Sequence, residues 1–232
     1  MQDHIDADII LAPLKERFKE FALFCEKEYI KVDPIPFREK PELVDGVCAY
    51  YDAGKNKIYY KNISESKMDI HILAHEIMHA VRFKENNLLC IKYKHPGYGR
   101  LAMSLNSLLE DKTVDSILQT QYGFDLRPLY IWSIEFVEAH ATNKSISDLG
   151  KIWSGIKLAN EMLKWDLIED REAANRWKKH LIWRREQSLD VYKIGKEIAG
   201  IVRSLKLEPI TQHQKIINTL IKKYNLQNII FV

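Results

Sequence analysis

Leu73-Ala74-His75-Glu76-Ile77-Met78-His79-Ala80-Val81 decides how the rest of the chain is read. Ile70, Ile72, Leu73, Ala74, Ile77, Met78, Ala80 and Val81 give this stretch apolar residues at helical spacing, so it is expected to form a largely buried helix. Residues four apart lie one above the other on a helix face, which lets the imidazoles of His75 and His79 reach one metal ion from a rigid backbone. Glu76 projects to one side of that pair, where a carboxylate can take a proton from an attacking water without occupying the coordination shell. Burying two histidines and a carboxylate without partners would cost about 1–3 kcal/mol for each unsatisfied group. A metal ion satisfies all three. The competing reading is a pair of core histidines bonded to backbone groups.

Upstream, apolar positions recur at helical spacing from about residue 9 to 29, and Asp33-Pro34-Ile35-Pro36 ends that helix. Val47-Cys48-Ala49-Tyr50-Tyr51 and Lys57-Ile58-Tyr59-Tyr60 are rich in β-branched and aromatic residues, and the glycine-containing segment between them suits a turn, so a β-hairpin is expected. Ser66, with Asp69 three residues on, opens the motif helix, which should run to about residue 84. Downstream, His95-Pro96-Gly97-Tyr98-Gly99 reads as a loop, followed by a helix over about 100–122 capped by Gly123.

A catalytic zinc takes three protein ligands and keeps one position for water. Leu108-Leu109-Glu110-Asp111-Lys112-Thr113-Val114-Asp115-Ser116-Ile117-Leu118 offers carboxylates inside an apolar helical run about thirty residues after the motif. In this order of parts, over about residues 9–122, the chain resembles the gluzincin superfamily of zinc metallopeptidases, particularly its small intracellular members. The resemblance implies a zincin-like α+β domain made of a helix, a small sheet, the HExxH helix and a glutamate helix. It implies zinc as cofactor, His75, His79 and Glu110 as ligands, Glu76 as general base and a peptide or protein as substrate. It also favours Lys57–Tyr60 as the edge strand along which an extended substrate adds, although an ordinary internal strand reads equally well. The chain departs from the family's Glu-x-x-(small)-Asp pattern. Val114 stands four residues after Glu110, whereas Asp115 stands four after Asp111, so Asp111 is the alternate third ligand. With Glu110 as ligand, Asp111 or Asp115 is left to accept the second N–H of a liganding histidine.

The rest of the chain reads as helices with breaks near residues 143–148 and at Pro209, and it carries all five tryptophans. We therefore expect a core over 1–125 and a helical extension over 126–232. Within Arg176-Trp177-Lys178-Lys179-His180-Leu181-Ile182-Trp183-Arg184-Arg185, basic residues alternate with aromatics, which suits nucleic acid, but a solvated helix face with its tryptophans turned inward accounts for it better. Glu172 lies far from the motif and out of register with it. Tyr98, His140 and Arg203 are the available oxyanion donors, none of them favoured by position. A net charge of +3 is too mild to demand a nucleic-acid or membrane partner. The absence of a signal peptide or membrane span points to a cytoplasmic protein. Cys25, Cys48 and Cys90 lack metal or disulfide spacing and read as small buried hydrophobes. The functional expectation is a zinc metallopeptidase. A zinc-stabilised regulatory or binding protein with little turnover is the alternative.

Overall fold

A computed structural model describes residues 12, 14–16, 18–31, 37–39, 49–52, 57–60, 67–86, 90–141, 146–206 and 210–231. It is broadly α+β and mostly helical. The helices are α1 (Lys19–Lys31), α2 (Lys67–Asn86), α3 (Gly99–Tyr122), α4 (Arg127–Ala139), α5 (Asp148–Trp165), α6 (Arg171–Gln187), α7 (Leu189–Leu205) and α8 (Thr211–Lys223). The strands are β1 (Phe37–Glu39), β2 (Ala49–Asp52), β3 (Lys57–Tyr60), β4 (Lys92–Tyr93) and β5 (Ile230–Phe231). Cys48, Ser66, the Asp33–Pro36 break, the hairpin turn and Pro209 lie outside the described residues.

The chain divides into two compact units, residues 1–88 with 114–129, and residues 89–113 with 130–232. In the first, β2 and β3 form the expected antiparallel pair, with Ala49 opposite Tyr60 and Tyr51 opposite Ile58. β1 pairs parallel to β3 on its other side, giving the order β1-β3-β2. β3 is thus the central strand of the described sheet, which removes Lys57–Tyr60 as the edge for a substrate strand; β2 is an edge instead. Helix α2 buries Ile70, Leu73, Ala74, Ile77, Met78, Ala80 and Val81 in a core shared with Leu14, Phe21, Cys25, Ile58, Val114, Leu118 and Phe124, while Ile72, the remaining apolar position of the motif stretch, is only partly buried. Stacking of Phe18 on Phe124, with ring centroids 4.1 Å apart, and the edge of Phe21 against Tyr122 at 5.0 Å complete its aromatic end.

The second unit is built from helices whose starts are set by side-chain caps. Ser147, Asp170 and Ser188 accept backbone N–H groups of Gly150, Ala173 and Val191 at the first turns of α5, α6 and α7. Its core includes Leu105, Leu108, Leu109, Ile156, Leu158, Leu163, Ile198, Val202, Ile216 and Leu220. Residues of α3 fall in both groupings. Its first half puts Leu101, Leu105, Leu108 and Leu109 in the second core, and its last turns put Val114 and Leu118 in the first. Gly123, at φ 69°, ends α3 as expected, and Phe124 N–H donates to the Leu118 carbonyl at 3.0 Å. Among the cysteines, Cys25 is buried as expected but Cys90 is exposed. Among the described residues no helix is long and apolar enough to cross a membrane.

Candidate metal centre

Helix α2 turns His75 and His79 to one side as their spacing requires, with ring centroids 4.6 Å apart and the two Nε2 atoms 2.9 Å apart. His75 is buried and His79 partly so. Behind His75 stands Asp115 of α3, fully buried, its Oδ1 2.7 Å from His75 Nδ1. A carboxylate buried to this degree is costly unless it is paired and hydrogen-bonded. An ionised carboxylate only accepts, so Nδ1 of His75 carries the proton and its Nε2 presents a lone pair toward His79.

One helical turn before Asp115, on the same face of the unbroken helix α3, stands Asp111. Ligand atoms of His75, His79 and Asp111 all lie within 4.8 Å of one another, and this buried group could hold a metal ion. Two nitrogen ligands at about 2.0–2.1 Å from a tetrahedral zinc sit about 3.3 Å apart, so the observed 2.9 Å needs only a few tenths of an ångström of adjustment. The donor set, two imidazole nitrogens and one carboxylate oxygen, suits zinc and leaves a coordination position open. Two neutral imidazoles sharing one hydrogen bond would also explain the close Nε2 atoms. Asp111 has partners of its own outside the histidine pair, Asn160 Nδ2 at 2.8 Å and Lys164 Nζ at 3.9 Å.

Glu110 points elsewhere. It is about 100° around the helix from Asp111, and its Oε1 lies 3.3 Å from Nδ1 of the buried His213 on α8. Of the two carboxylates weighed from sequence, the structure brings Asp111 to the histidines. Asp111 also accepts a hydrogen bond from Asn160 Nδ2 at Oδ2, 2.8 Å away, which steadies the carboxylate from α5.

Glu76 is half-buried on the neighbouring face of α2. Its Oε2 accepts the backbone N–H of Tyr51 at 2.7 Å. The side chain of Tyr51 packs by its edge on Phe83, 6.1 Å between centroids, and burial, followed by the nearby Asp52 charge, pushes its phenol up to about 12. This bond joins α2 to the outward side of the edge strand β2. Sequence patterning could not reveal it, because a backbone donor carries no residue-type signature.

The three possible oxyanion donors have other engagements. Arg203 makes a two-point contact with Asp166 at 2.8 and 3.0 Å, His140 Nδ1 lies 2.8 Å from the Phe136 carbonyl, and the Tyr98 ring meets His95. The basic helix α6 is tied down too. Arg176 forms a two-point pair with Glu138, Arg184 bonds Glu161, and Trp177 stacks on Trp165 at 5.1 Å with 3° between planes. Glu172 sits in the first turn of α6. His71, one turn before His75 and buried, was not singled out from sequence, although the i, i+4, i+8 spacing of His71, His75 and His79 was there to be seen.

No known protein family, curated protein or solved structure matches this chain.

Proposed function

We propose that this chain is a zinc metallopeptidase whose ligands are His75, His79 and Asp111. The observation that carries the reading is the ordered donor set: Asp115 fixes the His75 tautomer so that Nε2 faces His79 Nε2, 2.9 Å away, with the Asp111 carboxylate in reach. Bound there, zinc would polarise a water and a peptide carbonyl for hydrolysis. The protein's part begins with Asp115, which holds the proton on His75 Nδ1 and keeps Nε2 basic. Glu76 sits beside the pair and outside the donor set, where its carboxylate takes the proton of the attacking water and returns it to the leaving amine. The backbone N–H of Tyr51 holds that carboxylate in place. The resemblance to gluzincins agrees with this arrangement but implied Glu110 as third ligand. Asp111 replaces it here because its i, i+4 relation to Asp115 puts both carboxylates on the histidine side of one helix.

A second reading, a zinc-stabilised binding protein with little turnover, is favoured by that same Glu76 bond, since it makes the carboxylate a tie between α2 and β2. One set of variants separates the readings. Elemental analysis of the parent should find about one zinc per chain. Asp111→Ala should weaken zinc in chelator competition far more than Glu110→Ala. Glu76→Gln should keep the zinc while abolishing cleavage of peptide libraries. A parent that holds zinc but cleaves nothing supports the binding protein. A parent without zinc sinks both.

A further inference from the structure

The three histidines of α2 do not share one role, because Asp115 lies between two of them. Its Oδ1 is 2.7 Å from His75 Nδ1 and 3.8 Å from His71 Nε2, and the side chains of His71 and Asp115 are 4% and 0% exposed. His71 Nε2 is a buried nitrogen with no hydrogen-bond partner among the described residues. Such an orphan costs the full desolvation of the group, so it marks a bond waiting to close or a role for the nitrogen. At 3.8 Å the contact with Asp115 is too long for a hydrogen bond. Closing it to hydrogen-bond length needs about 0.6 Å of approach. The Phe124 ring, 5.3 Å from the His71 ring and tilted 54° to it, limits how far the imidazole can turn away.

We propose that His71 is a positioning residue for the metal centre: it donates from Nε2 to Asp115 and so fixes the carboxylate that orients His75. The inference rests on the metal reading given above and deepens it. A carboxylate has about four lone-pair sites, so Asp115 can accept from His71 as well as from His75. A second N–H arriving from one turn further up α2 pins it. Histidine ligands whose carboxylate partner is loosened typically bind metal about 10–100-fold less tightly. The Asp115 side chain, 0% exposed, also gains a donor that water cannot supply.

The test uses the full chain labelled with ¹⁵N-histidine, zinc as the metal probe, and the variants His71→Phe and His71→Gln. His71→Phe keeps an aromatic ring, somewhat larger than imidazole, and loses the donor. His71→Gln restores an N–H near the same place. In chelator competition His71→Phe should bind zinc about tenfold or more weakly than the parent, and His71→Gln should recover most of the loss, with far-UV circular dichroism of all three unchanged. Nitrogen shifts of the parent should show His71 protonated on Nε2 and His75 protonated on Nδ1. His71→Phe should blur the single tautomer of His75, which loss of bulk packing alone would not do. Zinc bound equally well by parent and His71→Phe overturns the assignment. So does a parent in which His71 carries its proton on Nδ1 alone, an observation that needs no variant to fold. A parent that binds no zinc refutes the metal reading instead, and the tautomer measurements then decide the His71–Asp115–His75 arrangement by themselves.

Discussion

Alanine at Gly155 and alanine at Gly200 should shift stability in opposite directions, although both glycines are interior to helices. A Cβ on Gly155 of α5 would lie 2.3 Å from Cγ2 of Ile194, 2.8 Å from its Cβ, and 3.3 Å from the backbone nitrogen of Gly195, all on α7. Turning Ile194 about its first side-chain bond moves Cγ2 but cannot move Cβ, which the α7 backbone holds. The two helices must therefore part where they are closest. Overpacking of this kind costs about 1–3 kcal/mol, and the strain here belongs at the upper end. Removing a mid-helix glycine returns about 1 kcal/mol, so the net loss for Gly155→Ala is about 1–2 kcal/mol. A Cβ at Gly200 meets nothing within 4 Å among the described residues, so Gly200→Ala should gain up to about 1 kcal/mol. Urea unfolding followed by tryptophan fluorescence reports on the right unit, because all five tryptophans fall in the second. A midpoint for Gly155→Ala at or above that of the parent would refute the close approach of α5 and α7. A Gly200→Ala midpoint as low as that of Gly155→Ala would show that helix register, rather than contact, sets both values.

Two further outcomes follow from the charges and the candidate ion. Hydrogen bonds from Arg176 and His180, with the Arg176 charge, outweigh desolvation and hold the Glu138 carboxyl below its usual 4.5. A depressed folded-state value means that its contribution to stability is fully present above about 4.5 and is lost as pH falls through the lower one, so thermal melts of the parent should fall modestly below that point, and those of Arg176→Met should fall less because part of the linkage is already gone. Chelation should lower the melting temperature, and zinc returned at about a hundredfold over its dissociation constant should restore about 2.7 kcal/mol. No shift on chelation of a protein shown to hold zinc would mean that the ion binds the unfolded chain as well.

What could be read in the sequence was whatever local periodicity encodes. The burial of α2, the β2–β3 hairpin, the left-handed end of α3 at Gly123 and the facing of His75 and His79 all follow from spacing or residue type within a few residues. The third carboxylate did not. Family likeness points to Glu110, and the i, i+4 relation to Asp115 points to Asp111. Register decided where the side chains point, since 100° per residue around α3 sends Glu110 toward His213 and leaves Asp111 in line with Asp115. The central place of β3 was equally hidden. It depends on β1, a three-residue parallel strand whose pairing is non-local and carries no pattern of its own. His71 was legible in principle from the i, i+4, i+8 repeat. A histidine in an apolar helix, however, acquires meaning only when the acceptor, here Asp115 forty-four residues later, is placed beside it.

The bond from Tyr51 N–H to Glu76 is where fold and chemistry depend on the same atoms. In an antiparallel pair the N–H and C=O of alternate residues point out of the ladder, and the register Tyr51 opposite Ile58 is what turns the Tyr51 N–H toward α2. A slip of one residue would aim it into the sheet, so the hairpin register fixes the Glu76 carboxylate as firmly as α2 does. Only Oε2 is spent on that bond, which leaves Oε1 for a proton. The consequence is a difference between two substitutions that are often treated as equivalent. Glu76→Gln keeps an oxygen to accept from Tyr51 and loses only basicity, so its fold and zinc should match the parent. Glu76→Ala loses the base and the tie together, leaving a half-buried N–H without its acceptor at about 1–3 kcal/mol, so it should melt earlier as well as fail to cleave. Equal melting of the two variants would mean that β2 is held by its ladder to β3 and by apolar packing alone, and that Glu76 owes its position to α2.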